Sequence, residues 1–210
     1  MLVDSHSHLF LEEFAEDLPF VMERARAAGV THIFMPNIDS TTIEPMLSVC
    51  DTYRDFCFPM IGLHPTSVNE SYEKELEIVA ANLETSGRFV AVGEIGIDLY
   101  WDKTWLKEQL IAFEKQVQWA LHYQLPIVIH CREAFDYIYK VLQPYKNSGL
   151  TGIFHSFTGT PGEAVRMMEF PGFKIGINGV VTFKKSTLPE TLKSVPLERI
   201  VLETDSPYLT

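Results

Sequence analysis

The chain has 210 residues, 46% hydrophobic and 21% charged, which is the make-up of a soluble globular protein with room for one sizeable core. No apolar run approaches the roughly 20 residues that cross a bilayer, and a net charge of −11 argues against broad adhesion to nucleic acid through a basic surface. The three cysteines, Cys50, Cys57 and Cys131, show no C-x-x-C spacing, and the N-terminus lacks a basic-then-apolar secretory layout; both point to the cytoplasm, with no membrane association.

The first eight residues, M-L-V-D-S-H-S-H, organise the rest. As a strand, their period of two puts Asp4, His6 and His8 on one face. Apolar, β-branched segments then recur at 31–36, 58–64, 89–95, 126–130, 151–155, 173–178 and 199–205. Near-continuous Val, Ile and Leu content is the pattern of strands buried on both faces, hence of a parallel sheet. Between them lie stretches with helical spacing, at 17–28, 41–50, 72–83, 105–122, 133–145, 161–168 and 188–194. The first carries Leu18, Val21, Met22 and Ala25 on one side and stops at Gly29.

No linker or low-complexity run marks a boundary, so residues 1–210 read as one α/β domain of alternating βα units. Eight strands are the number that closes a (β/α)8 TIM barrel. The rival, a doubly wound open sheet, would usually place a Gly-rich phosphate turn after its first strand, and none follows His8. Barrels of this type run to about 250 residues. A chain stopping at Thr210, just after the eighth strand, is therefore expected to lack its final helix.

The chemistry is expected at the strand ends, where barrel active sites are built. His6, His8, Glu94, His130, His155 and Asp205 each follow or end an apolar run. Taken singly, each has an ordinary structural reading: a hydrogen-bonded loop histidine, an ion-pair glutamate, a turn aspartate in Asp-Ser-Pro. Together they offer imidazoles and carboxylates enough for one or two divalent ions. Six groups exceed one tetrahedral centre, which favours two ions bridged by a carboxylate. Glu94 suits the bridge. His6, His8 and Asp205, from neighbouring strands one and eight, would share one ion, and His130 and His155 would hold the other.

Six motifs in order, D-S-H-S-H at 4–8, G-L-H-P at 62–65, V-G-E-I-G-I-D at 92–98, I-V-I-H-C-R-E-A at 127–134, F-H-S-F-T-G at 154–159 and E-T-D-S-P-Y-L at 203–209, resemble the TatD family of metal-dependent deoxyribonucleases, among the amidohydrolase-like barrels. The resemblance spans the whole chain. It implies a binuclear hydrolase with His6, His8, Glu94, His130, His155 and Asp205 as metal ligands, cutting DNA phosphodiesters, often by trimming 3′ ends, with Mg²⁺ or a similar ion. The strand-six motif departs mildly, reading H-S-F-T-G where H-C-F-S-G is common.

Strand four offers no lysine for a carboxylated bridge, and its glutamate, a hard oxygen donor, is compatible with Mg²⁺ or Mn²⁺, while the imidazoles would equally accept Zn²⁺. In the expected mechanism Asp205 acts as general base toward the attacking water. His64 is placed to contact phosphate or a ligand, or to cap its loop. Arg132 is placed to fork a phosphate, or to pair with Glu133 or Asp136. Glu203 and Asp4 are expected behind the ligands. Asp98, Tyr100 and Trp101 fall in the loop after strand four, where rings could stack on unpaired bases or pack over the barrel mouth. The expected partner is single-stranded DNA ends, met by a monomer. Two rivals stay open: a metal-dependent hydrolase of an ester, lactone or amide, favoured by the acidic charge, and a non-catalytic metal-binding barrel.

Overall fold

A computed structural model describes residues 1–208 and is a parallel α/β barrel. The elements alternate as β1 (Leu2–Asp4), α1 (Leu18–Ala27), β2 (Val30–Pro36), α2 (Ser40–Thr52), β3 (Cys57–Met60), α3 (Tyr72–Ser86), β4 (Val92–Asp98), α4 (Leu106–Tyr123), β5 (Ile127–Arg132), α5 (Phe135–Leu142), β6 (Gly152–Phe154), α6 (Pro161–Met168), β7 (Phe173–Ile177), α7 (Leu188–Leu192) and β8 (Ile200–Leu202). Two parallel runs, β1–β2–β3 and β4 through β8, make the sheet. Two seams close it. Ile61 N–H donates to Ala91 O and Gly93 N–H to Ile61 O between β3 and β4, while Ser5 N–H donates to Leu202 O and Asp205 N–H to His6 O between β8 and β1.

Local chemistry marks the helix boundaries. Asp39 and Thr160 each cap a helix in a reciprocal capping box, with Thr42 and Glu163 returning the bond. Gly87, at φ 58°, ends α3 in the left-handed conformation that costs glycine nothing. No helix follows β8 among the described residues, and none of the described helices is long and apolar enough to cross a membrane. The opening strand is shorter than the eight-residue expectation. The regular strand ends at Asp4, and His6 and His8 lie on the chain just beyond it, where Ser7 N–H still donates to Phe34 O and His8 N–H to Ser206 O.

The strand period sorts the core into two layers. On β5, Ile127 and Ile129 face the helices, while Val128 and His130 point into the barrel. Val128 joins Met60 and Ala91 in a small apolar plug inside the barrel. The polar residues sit above it. Helix α4 buries Ala112, Phe113, Val117 and Ala120 against the strands, and along the same side two buried glutamines, Gln109 and Gln116. These amides are not stray polarity. Gln116 Oε1 accepts from Leu63 N–H at 2.7 Å, and Gln109 Oε1 accepts from Asp98 N–H at 2.9 Å. One helix thus fixes the backbone at the ends of β3 and β4, next to His64 and at Asp98, by satisfying buried donors.

Gly96 sets the closeness of β4 and β5. It adopts φ 149°, and a Cβ there would lie 1.9 Å from His130 O. Nothing in a backbone contact can yield by that much, so Gly96→Ala should cost about 3 kcal/mol or more. For a chain of this size that lowers the melting temperature by about 6–12 °C. A calorimetric scan reads it directly; an unchanged transition would mean the strands are farther apart than described here.

Candidate metal centre

Four atoms converge above the apolar plug. His6 Nε2 lies 3.1 Å from His8 Nε2 and 3.1 Å from Glu94 Oε2, with Asp205 Oδ1 3.8 Å from both imidazoles. Atoms bound to one ion at about 2.1 Å stand about 3.4 Å apart in a tetrahedron and about 3.0 Å apart in an octahedron. The two 3.1 Å separations fall in that range, and Asp205 at 3.8 Å stands a few tenths of an ångström outside it. Two imidazole nitrogens and two carboxylate oxygens also form a donor set that a divalent cation would neutralise, so the residues fit a metal.

The other oxygen of Glu94 faces a second group. Its Oε1 is 2.9 Å from His130 Nδ1, 3.5 Å from His64 Nε2 and 3.8 Å from His155 Nε2. His155 Nε2 also lies 3.5 Å from Asp205 Oδ1, and its ring stacks on His6 with centroids 3.4 Å apart. All six residues expected to ligate are therefore brought together, with Glu94 between the two groups.

His64 stands apart on tautomer grounds. Its Nδ1 accepts from Thr66 N–H at 3.2 Å, capping the turn at Pro65–Ser67. In the neutral ring the proton then sits on Nε2, which points at Glu94 and His130. A protonated nitrogen cannot ligate. Although His64, Glu94 and His130 are close enough to hold an ion, this histidine is better suited to donate a hydrogen bond, and it caps its loop as well.

The residues expected behind the ligands divide by role. Glu203 is buried, accepts from Ser156 N–H and lies 3.2 Å from His155 Nδ1, so it sets the orientation of that ring. Asp4 accepts from Thr204 N–H at 2.9 Å, from Thr204 Oγ1 at 2.7 Å and from His6 N–H at 3.3 Å. It locks the ends of β1 and β8 together. Burial raises its pKa despite those donors. Arg132 meets neither expected carboxylate: Lys103 lies 3.9 Å from Glu133 and Arg166 takes Asp136 at 2.6 Å. Its guanidinium carbon instead sits 3.7 Å from the centre of the Tyr100 ring.

Asp98 corrects the sequence reading. It is the last residue of β4, paired in register with Arg132, and it is buried. Its Oδ2 lies 2.8 Å from His130 Nε2. That nitrogen donates to the carboxylate, leaving Nδ1 turned toward Glu94. The signal was present in the sequence, because the period of two that turns Glu94 inward turns Gly96 and Asp98 inward too.

The electrostatics are those of a site built for cations. Burial and the neighbouring His6 push His8 down to about 3, so it is neutral at pH 7, the form a ligand needs. Burial opposes the charge on Glu94, but His6, His155 and His64 outweigh it and hold the carboxyl well below its usual range. Burial likewise opposes a charge on His155, yet Glu203 and Glu94 lift it well above the ordinary histidine value. At His130, burial lowers the pKa, but hydrogen bonds donated to Asp98 and Glu94 overcome it and raise it. Protonation of His130 and His155 is therefore favoured when metal is absent, and protons and metal compete there. Mn²⁺ or Zn²⁺ at about a hundred times its Kd should raise the melting temperature by about 5–10 °C at pH 7.5. The shift should shrink at pH 5.5, where His130 and His155 hold their protons. A shift that grows with acid would contradict this ligand set.

The centre opens to solvent through a cleft of about 660 Å³, walled by His64, Trp101, Arg132, Thr158, Val180 and Tyr208 among others. Leu209, the last residue of the E-T-D-S-P-Y-L motif, lies outside the described residues.

Comparison with known proteins agrees with this geometry. The family model described as TatD related DNase matches residues 3–210. An uncharacterized metal-dependent hydrolase of Bacillus subtilis, YabD, is 36% identical over all of this chain and 82% of its own length. A 3′-5′ ssDNA/RNA exonuclease TatD from Edwardsiella piscicida is 33% identical over 99% of this chain and 80% of its own. The crystal structure of the TatD homologue YjjV from Escherichia coli K12 superposes with a TM-score of 0.91 at 30% identity, covering 99% of this chain and 80% of that one.

Proposed function

This chain belongs to the TatD-related DNase family, and on that premise we propose that it is a metal-dependent phosphodiesterase that trims single-stranded DNA from the 3′ end. Glu94 would serve two divalent ions, Mg²⁺ or Mn²⁺ with Zn²⁺ as a competent substitute; His6, His8 and Asp205 would hold one with it, and His130 and His155 the other. The observation that carries the reading is the spacing of the Nε2 atoms of His6 and His8 and the oxygens of Glu94 and Asp205, 3.1–3.8 Å, beneath an open cleft. The protein works as a cytoplasmic monomer.

Ions held there would lower the pKa of a water and neutralise charge on the phosphate. The protein's residues do the rest. Asp205 is held ionised because contact with His155 outweighs its burial. Its contacts to His6, His8 and His155 all run through Oδ1, so Oδ2 takes the proton of the attacking water. His64 donates from Nε2 to a non-bridging phosphate oxygen. Asp98 and Glu203 hold His130 and His155 in orientation. The 3′-oxygen of the penultimate nucleotide leaves in line with the attack.

Single-stranded DNA labelled at its 5′ end, incubated with Mn²⁺ and in parallel with chelator, tests this. The expected product is a metal-dependent ladder that shortens by one nucleotide at a time and keeps its label. Internal fragments, early loss of the labelled nucleotide, or no cleavage would each overturn the reading. A second reading, hydrolysis of a small ester, lactone or amide, draws on the net charge of −11 and on a cleft whose lining, among the described residues, holds a single lysine or arginine, Arg132. Salt separates the two: DNA binding weakens as salt rises, whereas turnover of a neutral ester does not depend on it.

A further inference from the structure

We propose that Trp101 is the surface on which the unpaired base of the substrate stacks, with Arg132 beside it drawing the phosphate; this rests on the nuclease reading above. Trp101 is 72% exposed and Tyr100 50% exposed. Scattered surface aromatics are common and need no function. These two are different because they are tied to the reaction centre. Asp98 Oδ1 accepts from Tyr100 N–H at 2.9 Å and from Trp101 N–H at 3.4 Å, while Oδ2 of the same carboxylate lies against His130. A single side chain therefore sets both the orientation of a metal-facing imidazole and the position of the exposed indole.

The faces of the two rings are unequally available. The Arg132 guanidinium lies over Tyr100 at 3.7 Å and only beside Trp101, at 5.5 Å. The two rings meet edge-on, with centroids 4.9 Å apart and planes at 88°. One face of Tyr100 is thus occupied, whereas Trp101, which lines the cleft, is the more open ring. Arg132 lines the same cleft and makes no salt bridge among the described residues. The buried carboxylates Glu94, Asp98 and Asp205 line the same cleft, yet the guanidinium lies on an aromatic face and its charge remains available to an incoming anion.

A flat open π surface next to an unpaired cation, fixed at the mouth of a site for phosphate chemistry, matches one nucleotide whose base has left its partner. A duplex terminus offers that base only after unpairing, which costs free energy. The arrangement therefore selects for single strands and is of no use to a hydrolase of simple esters.

Trp101→Ala and Trp101→Phe would be assayed with metal on three substrates: a natural oligonucleotide, the same oligonucleotide ending in an abasic 3′ residue, and methyl p-nitrophenyl phosphate. Trp101→Ala should lower kcat/KM on the natural end about tenfold relative to its effect on methyl p-nitrophenyl phosphate, chiefly through KM. The wild-type preference for the natural over the abasic end should collapse, and Trp101→Phe should restore most of it. Oligothymidylate in chelator should quench the wild-type tryptophan fluorescence and leave that of Trp101→Ala nearly unchanged. Equal losses on all three substrates, or equal quenching in both proteins, would make Trp101 a packing residue and sink the inference while leaving the nuclease reading intact. Hydrolysis of methyl p-nitrophenyl phosphate by a wild type that ignores DNA would instead sink the nuclease reading, and this inference with it.

Discussion

Glu94→Gln should reduce turnover by about a thousandfold and abolish the stabilisation by added metal, while the variant remains folded. The carboxylate is 2% exposed and has the imidazoles of His6, His8, His64, His130 and His155 all within 3.8 Å. Its two oxygens divide the work: Oε2 toward His6 and His8, Oε1 toward His64, His130 and His155. Glutamine keeps the shape but loses the charge, and it places an amide N–H₂ where one group of ligands needs an oxygen. A thousandfold loss corresponds to about 4 kcal/mol at 1.36 kcal/mol per factor of ten. Folding is expected to survive, because the strand on either side of Glu94 is held by Ile61, Ile127 and Ile129 rather than by the carboxylate. Circular dichroism, a thermal scan with and without Mn²⁺ and a rate assay together check this. Near wild-type turnover in the variant would remove Glu94 from the bridging role.

Asp205→Asn should retain metal and lose about 10²–10³ in kcat, with KM little changed. Backbone strain makes this substitution clean. Asp205 sits at φ 60°, in the left-handed region that aspartate and asparagine both tolerate better than other residues with side chains. Its N–H bond to His6 O is independent of the side chain. Asparagine can therefore keep the fold and a ligand oxygen toward the imidazoles, but it cannot take a proton. Full activity with bound metal would assign the base role elsewhere, and loss of metal along with activity would reduce Asp205 to a ligand.

Much of this was legible in the sequence because barrel strands advertise themselves twice. Runs such as Pro126–His130 are apolar where both faces are covered, and the polar residue ending the run marks the open end of the barrel. That is why His130, His155 and Asp205 could be placed before any coordinates. What was not legible depended on competition between neighbours in space. Arg132 had carboxylates nearby in sequence at Glu133 and Asp136, but Arg166, thirty residues on from Asp136, takes that partner at 2.6 Å. The choice of an aromatic face instead is a tertiary fact. Asp98 was hidden differently. Gly96 interrupts the apolar pattern, so the sequence ends β4 early, whereas the glycine is there because His130 O comes too close for a Cβ. The regular part of β1 is shorter than the sequence suggests because His6 and His8 continue the alternation after the strand proper has ended at Asp4. The tautomer of His64 depends on a bond to Thr66 that no spacing rule predicts.

The most direct test of the two-ion centre is a count of ions per chain, by elemental analysis after equilibrium dialysis against Mn²⁺ at pH 7.5. Two per chain in the wild type, falling to one or none in Glu94→Gln, is the predicted result. One ion or none in the wild type, or two in the variant, would contradict it.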